Sequence, residues 1–276
     1  MNDPETDDVR TLVRDHYGSV ARTGASAGCA PGCCAPGAVG TAAGTAAGLL
    51  GYDAEQLGAV PEGADLGLGC GNPTAIASLR PGQIVLDLGA GGGFDCFIAA
   101  HQVGPSGRVI GVDMTPDMVT LARTNARKVN ATNVEFRLGE IEHLPVADAS
   151  VDVILSNCVI NLSPEKGAVF GEAFRVLRPD GRLAISDVVA TGPIPADLQN
   201  QAAALAGCIA GAAPIEDVRA MLARAGFTDI EVTIAPRSAE IVGSWLPGIE
   251  NFVASATIEA RKPAAGEACC QPGCCA

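Results

Sequence analysis

Cys158 stands in the stretch Ser156-Asn157-Cys158-Val159-Ile160-Asn161-Leu162, directly after a strand-like run at residues 151–155. In a doubly wound sheet this places a thiol at the carboxyl end of a central strand, where ligands bind. Cys70 and Cys208 lie in loop-like segments that can fold over the same edge. A pyramidal three-sulfur site built from them would suit a soft ion or metalloid, because soft ligands and soft ions prefer each other. Their long spacings form no local metal motif, so only the fold can assemble them. Taken singly, each cysteine also reads as a small buried hydrophobe.

A second constellation precedes the thiol. Val85-Leu86-Asp87-Leu88-Gly89-Ala90-Gly91-Gly92-Gly93 follows a strand pattern and opens a helix. Its glycines let the backbone approach a ligand closely. Asp113 closes the next strand, about 20 residues on, where an acidic side chain binds ribose hydroxyls. By itself this pattern serves a nicotinamide enzyme as well as other nucleotide users. The three histidines, His16, His101 and His143, do not follow the fourth strand. An acceptor that needs no positioned base to deprotonate it therefore fits better than an oxygen or nitrogen acceptor.

The elements that position these groups alternate. Strands are expected at 84–88, 108–112, 133–137, 151–155 and 182–187, with helices at 94–101, 116–129, 167–177 and 214–225. Two final strands at 229–235 and 251–259 would lie close to a hairpin. The N-terminal residues 6–21 read as an amphipathic helix. Strands alternating with helices predict a parallel α/β sheet. The chain of 276 residues is long enough for one such domain plus extensions. Its net charge of −13 repels polyanions, so no nucleic-acid partner is expected. No uninterrupted apolar run of about 18 residues suggests a membrane span. The acidic start Met1-Asn2-Asp3-Pro4-Glu5 is unlike a secretory signal. Eleven cysteines without an export signal point to a reducing, cytoplasmic compartment, where they serve metals or catalysis more than structural disulfides.

Asp87-Leu88-Gly89-Ala90-Gly91 resembles the first motif of class I methyltransferases, and Gly139-Glu140-Ile141 resembles the turn that holds adenine in that superfamily. The resemblance implies a Rossmann-like fold: a mostly parallel seven-stranded sheet with an antiparallel last strand and helices on both faces. It implies S-adenosyl-L-methionine as methyl donor, with no catalytic metal. Gly67-Leu68-Gly69-Cys70-Gly71-Asn72-Pro73, Gly93-Phe94-Asp95-Cys96, Gly111-Val112-Asp113-Met114-Thr115-Pro116, the Cys158 stretch and Gly207-Cys208-Ile209-Ala210-Gly211-Ala212 resemble arsenite methyltransferases over roughly residues 9–235.

That resemblance implies that Cys70, Cys158 and Cys208 bind As(III), and that Cys33 or Cys34, rather than Cys29, joins Cys70 in a disulfide relay. It assigns cofactor contacts to Tyr17, Gly18, Asp87, Gly89, Ala90, Gly91, Asp113, Met114, Glu140, Ile141 and Asn157. Cys96 reads as packing. The implied partners are As(III) or its thiol conjugates, with thioredoxin or glutathione as reductant, and a monomer is expected. The implied division is an N-terminal helix with a cysteine-containing cap (1–71), a methyltransferase domain with an arsenic-binding insert around 190–213 (72–262), and a cysteine-rich tail (263–276). The tail pairs Cys269-Cys270 and Cys274-Cys275 would either hand arsenic inward or sequester it. The chain would leave little room for a further C-terminal domain. Rival readings are a methyltransferase acting on a quinone or other small carbon acceptor, and a non-catalytic metalloid-sequestering protein.

Overall fold

We describe a computed structural model over residues 4–23, 47–196 and 207–265. Cys29, Cys33, Cys34, the tail cysteines and the middle of the 190–213 insert lie outside the described residues.

The elements run α1 (Pro4–Thr23), α2 (Ala54–Gly58), α3 (Pro73–Ala77), β1 (Ile84–Leu88), α4 (Phe94–Val103), β2 (Arg108–Asp113), α5 (Pro116–Lys128), β3 (Val134–Leu138) and β4 (Val151–Asn157). There follow α6 (Lys166–Val176), β5 (Leu177–Ala190), α7 (Gly207–Ala210), β6 (Ala213–Pro214), α8 (Ile215–Ala225), β7 (Thr228–Ile234), α9 (Ser238–Gly243) and β8 (Val253–Arg261). Short 3₁₀ turns lie at Ile160–Leu162 and Ile249–Asn251. Pro116 opens α5 with its φ already helical and no amide proton to lose, and Arg127 and Lys128 close it against the helix dipole. Gly226 ends α8 in the left-handed conformation that a Cβ would oppose.

The sheet order is β3-β2-β1-β4-β5-β8-β7, with β6 paired to β5. Pairs from β3 through to β5 are parallel, and β8 runs antiparallel to both β5 and β7. The expected seven strands are thus present. The eighth is the two-residue β6, which borrows the end of β5 at Val189 and Ala190.

Side chains alternate across each strand. Leu86, Leu88 and Ile154 pack with Phe170 and Val176 of α6 on one face. Val85, Val153 and Leu155 pack with Phe97 of α4 and Val119 of α5 on the other. The central strands, covered on both faces, are correspondingly apolar apart from Asp87 in β1 and Asp152, Ser156 and Asn157 in β4.

Two expectations shift. β5 starts earlier than position 182, because Leu177 already pairs with Val151 while Asp180 takes a positive φ. β7 and β8 do pair antiparallel, but α9 and the 3₁₀ turn stand between them, so their connection is an insert rather than a tight hairpin.

The strand order reverses at β1 and β4, the place where open α/β sheets bind ligands. The register sets Leu88 opposite Ser156 and Asn157 opposite Ser186. Gly89 and Cys158 therefore leave β1 and β4 side by side, next to Asp187 within β5.

Candidate functional site: a cofactor cradle beside three cysteines

β1 turns into α4 through a loop anchored on β2. Gly89 and Ala90 donate to the Val112 carbonyl at 2.8 and 3.0 Å. The Asp113 carboxylate spans this loop and the next, accepting from Gly91 N at 2.9 Å and Thr115 N at 2.8 Å. Gly91 has φ +50°, and a Cβ there would meet nothing within 4 Å. Its backbone faces open space, as a loop that cradles a ligand requires.

A cavity opens over this loop. Its lining includes Asp87, Gly89, Ala90, Gly91, Asp113 and Met114, and also Tyr17, Ile141, Asn157 and Cys158. Two expected cofactor residues lie elsewhere. Gly18 is packed toward Asp117 and Thr115 of the α5 start. Glu140 pairs with Arg14 at 3.3 Å and Arg10 at 3.9 Å, and it is Glu142, with Ile141, that reaches the cavity.

The buried carboxylates Asp87 and Asp95 share one side of the cavity. Burial pushes Asp95 up to about 6, although Tyr52 and Asn157 hydrogen-bond it. Burial and the neighbouring Asp95 charge also raise Asp87 well above its usual range, opposed by a hydrogen bond from Cys96 Sγ at 3.2 Å. Cys96 is thus buried packing with one polar contact to the cofactor loop's strand. Buried acids favour a cationic ligand. The open glycine backbone, the Asp113 brace and this acidity together fit S-adenosylmethionine, whose sulfonium and ammonium groups are cations.

Asn157 joins the cradle to the first cysteine. Its Oδ1 accepts from Cys70 N at 3.0 Å, and its Nδ2 donates to the Gly71 carbonyl at 2.9 Å and to Asp95 at 3.0 Å. Tyr52 completes the knot by donating to Asp95 at 2.6 Å. From the other side, Ser255 Oγ of β8 donates to the Cys70 carbonyl at 2.7 Å.

Cys70, Cys158 and Cys208 come together in one apolar cluster. Cys70 and Cys158 form a disulfide with their Cα atoms 5.8 Å apart. Cys158 carries a φ of +59°, unusual for a side-chain-bearing residue. Cys208 Sγ donates to the Cys158 carbonyl at 2.7 Å. Burial, then the Asp187 charge, holds the Cys208 thiol high, while a hydrogen bond from Tyr17 of α1 works the other way.

Asp187, which sequence reading does not single out, offers a carboxylate oxygen within 4.8 Å of the Cys70 and Cys158 sulfurs. It accepts from Ile160 N at 3.0 Å, Val188 N at 2.7 Å and the Asn161 amide at 2.9 Å, which ties the turn after Cys158 to β5. Burial pushes it up to about 6.

A family model described as a methyltransferase domain matches residues 79–226. The arsenite methyltransferase of Halobacterium salinarum is 51% identical over 95% of this chain and 68% of its own length. The mouse arsenite methyltransferase is 33% identical over 81% of this chain and 59% of its own length. The chain belongs to the arsenite methyltransferase family. The crystal structure of CrArsM, an arsenic(III) S-adenosylmethionine methyltransferase from Chlamydomonas reinhardtii, superposes with a TM-score of 0.59 at 34% identity, covering 80% of this chain and 73% of that one.

As a family member, this enzyme methylates trivalent arsenic with S-adenosylmethionine. Among the described residues, no helix is long and apolar enough to cross a membrane. Sequence reasoning for this arsenite methyltransferase missed Asp187, Tyr52 and Asp95. Asp187 sits in an ordinary strand pattern and carries no local signal. Asp95 lies inside the quoted motif Gly93-Phe94-Asp95-Cys96 and was legible there.

Proposed function

We propose that Cys70, Cys158 and Cys208 bind As(III) as three thiolates at the carboxyl edge of β4. Cys158 and Cys208 are the pair needed for every step. The observation that carries this reading is their convergence, with Cys70, in one buried cluster beside the glycine loop. Arsenite would arrive as a thiol conjugate, and each bond to a protein sulfur would release one small thiol. Bound S-adenosylmethionine would supply an electrophilic methyl group to the arsenic lone pair; its methyl C–S bond would break with the electron pair left on sulfur, and S-adenosylhomocysteine would leave as a neutral thioether.

Asp113 and Gly91 would hold the cofactor's ribose side, Met114 and Ile141 its base, and Asp87 with Asn157 its amino-acid end. Tyr17 would cover the sulfonium from α1, where it already meets Cys208. Gly18 and Glu140 would then act on the cradle only through α1 and its ion pairs.

Methylation takes arsenic formally from the trivalent to the pentavalent state. Two protein thiols would return two electrons and close a disulfide. Cys70–Cys158 is one such pair, and Cys33 or Cys34 would extend the relay. Two reducing equivalents from thioredoxin or glutathione would reopen it by thiol exchange. The cap (1–71) and the tail (263–276) would serve this core as a monomer in a reducing compartment.

The test is a thiol-supplemented assay of arsenite with labelled S-adenosylmethionine and arsenic speciation of the products. Methylarsenicals are expected. Cofactor binding without methylarsenicals, under verified reducing conditions, would refute arsenic as acceptor and favour a small carbon acceptor.

A further inference from the structure

The insert between β7 and β8 reaches the same cavity as the glycine loop. Ile241, Ser244 and Trp245 line the same cavity as Cys158 and Val159. Val242, Leu246 and Ile249 of this insert pack in the cluster that holds the three cysteines, with Trp245 against it. The insert is braced on the thiol loop. Ser255 N donates to Ser238 Oγ at the start of α9 at 2.8 Å, and Ser255 Oγ donates to the Cys70 carbonyl at 2.7 Å. The acids of the insert turn away: Glu240 pairs with Arg237 at 2.7 Å on the surface, and exposed Glu250 caps Gly248 N at 2.8 Å. What the insert presents to the cavity is apolar apart from Ser244.

Resting on the arsenic reading, we propose that Ile241 and Trp245 form the wall against which methyl groups already on arsenic pack, which makes Trp245 a specificity-determining residue for the later methylation. Arsenite and methylarsonite differ at the metalloid by one ligand. In the first all ligands are exchangeable for protein thiolates. In the second one is a methyl group that no cysteine can replace and that gains free energy only from apolar surface. A wall fixed to the Cys70 loop tells the two apart without touching the bonds that form or break. Burial of one methyl-sized group is worth about fourfold in binding.

The experiment measures KM for arsenite and for methylarsonite, both as thiol conjugates, in the wild-type enzyme and in Trp245→Ala, Trp245→Phe and Ile241→Val, with cofactor affinity as the folding control. In Trp245→Ala, KM for methylarsonite should rise about fourfold more than KM for arsenite, and dimethylated product should fall relative to monomethylated product. Trp245→Phe should restore most of the difference, and Ile241→Val should show a smaller shift in the same direction. Trp245 is the chain's one tryptophan, so its emission in the wild-type protein should respond more to methylarsonite than to arsenite. Equal changes in both KM values, no change in either, or an emission blind to both arsenicals would overturn the proposal. A wild-type enzyme that binds cofactor yet methylates neither arsenical would instead sink the arsenic reading beneath it.

Discussion

Gly89→Ala tests whether the cofactor loop and the thiol turn are one packed unit. Gly89 has φ +70°, and a Cβ there would stand 2.9 Å from Val159 Cβ and closer still to both Val159 methyls. Val159 is the residue after Cys158. Two separate costs follow. An alanine held in the left-handed region costs about 1–2 kcal/mol, and forcing a methyl into a packed contact costs about 1–3 kcal/mol. The single variant should therefore lose about 2–5 kcal/mol. Val159→Ala removes the two nearest methyls but leaves the backbone strain and its own Cβ 2.9 Å away. In the double variant most of the steric part, about 1–3 kcal/mol in all, should return as a favourable coupling in a urea-unfolding double-mutant cycle. Arsenite turnover should recover with it, since the displaced Val159 would otherwise drag Cys158 off the cavity. Additive effects, within the ~0.3–0.5 kcal/mol expected of independent sites, would refute the claim that these two loops share a contact.

Cys158→Ser and Cys208→Ser should abolish methylation of arsenite, whereas Cys70→Ser should spare at most the step from methylarsonite, which speciation with each substrate separates; full first-step activity in Cys158→Ser would sink the three-thiol site. Asp95 is raised by burial to about 6, so its favourable contribution to stability is present below about pH 4 and is lost as pH rises through 6; Asp95→Asn should flatten the fall in melting temperature of the cofactor-free protein across that window, and an unchanged slope would contradict the assignment. Arg10→Ala should cost about 1–3 kcal/mol, because it leaves buried Glu142 with Ser163 Oγ at 2.6 Å but without the guanidinium 3.4 Å away, and frees α1 from Glu165 at 2.6 Å; proteolysis within α1 should accelerate, and an unchanged cleavage rate would show that other contacts dock the helix.

The parts of the fold that sequence made legible are those where one local signal suffices. The run Ile84–Leu88 followed by glycines marks a buried strand and its ligand loop, and Pro116 and Gly226 mark the ends of helices they actually bound. The parts it hid depend on pairing across long separations. Nothing near position 177 says that Leu177 will pair with Val151 before the Asp180 turn. The insert carrying α9 has only six helical residues, too few for an apolar period to declare itself, so its sequence reads as a loop between two strands. Asp187 is the same case at one residue: an acid in a β pattern ordinarily faces solvent, and only the turn at Ile160–Leu162 folding onto β5 gives its carboxylate buried donors.

The convergence of the cysteines follows from register more than from the cysteines themselves. With Leu88 beside Ser156 and Asn157 beside Ser186, the chain leaving β1 must run next to the chain leaving β4, whatever residues they carry. Asn157 then does what no thiol can. One planar amide accepts from Cys70 N and donates to Gly71 O and Asp95, using a neutral group with fixed donors and an acceptor to join the thiol loop to the acidic cradle. An aspartate there would set a further charge against Asp95 and offer nothing to the Gly71 carbonyl, and a leucine would leave buried polar groups unpaired at about 1–3 kcal/mol each. The residue before Cys158 is therefore what makes a distant Cys70 available to it. That is the physical reason a site with no local spacing motif still assembles at one sheet edge.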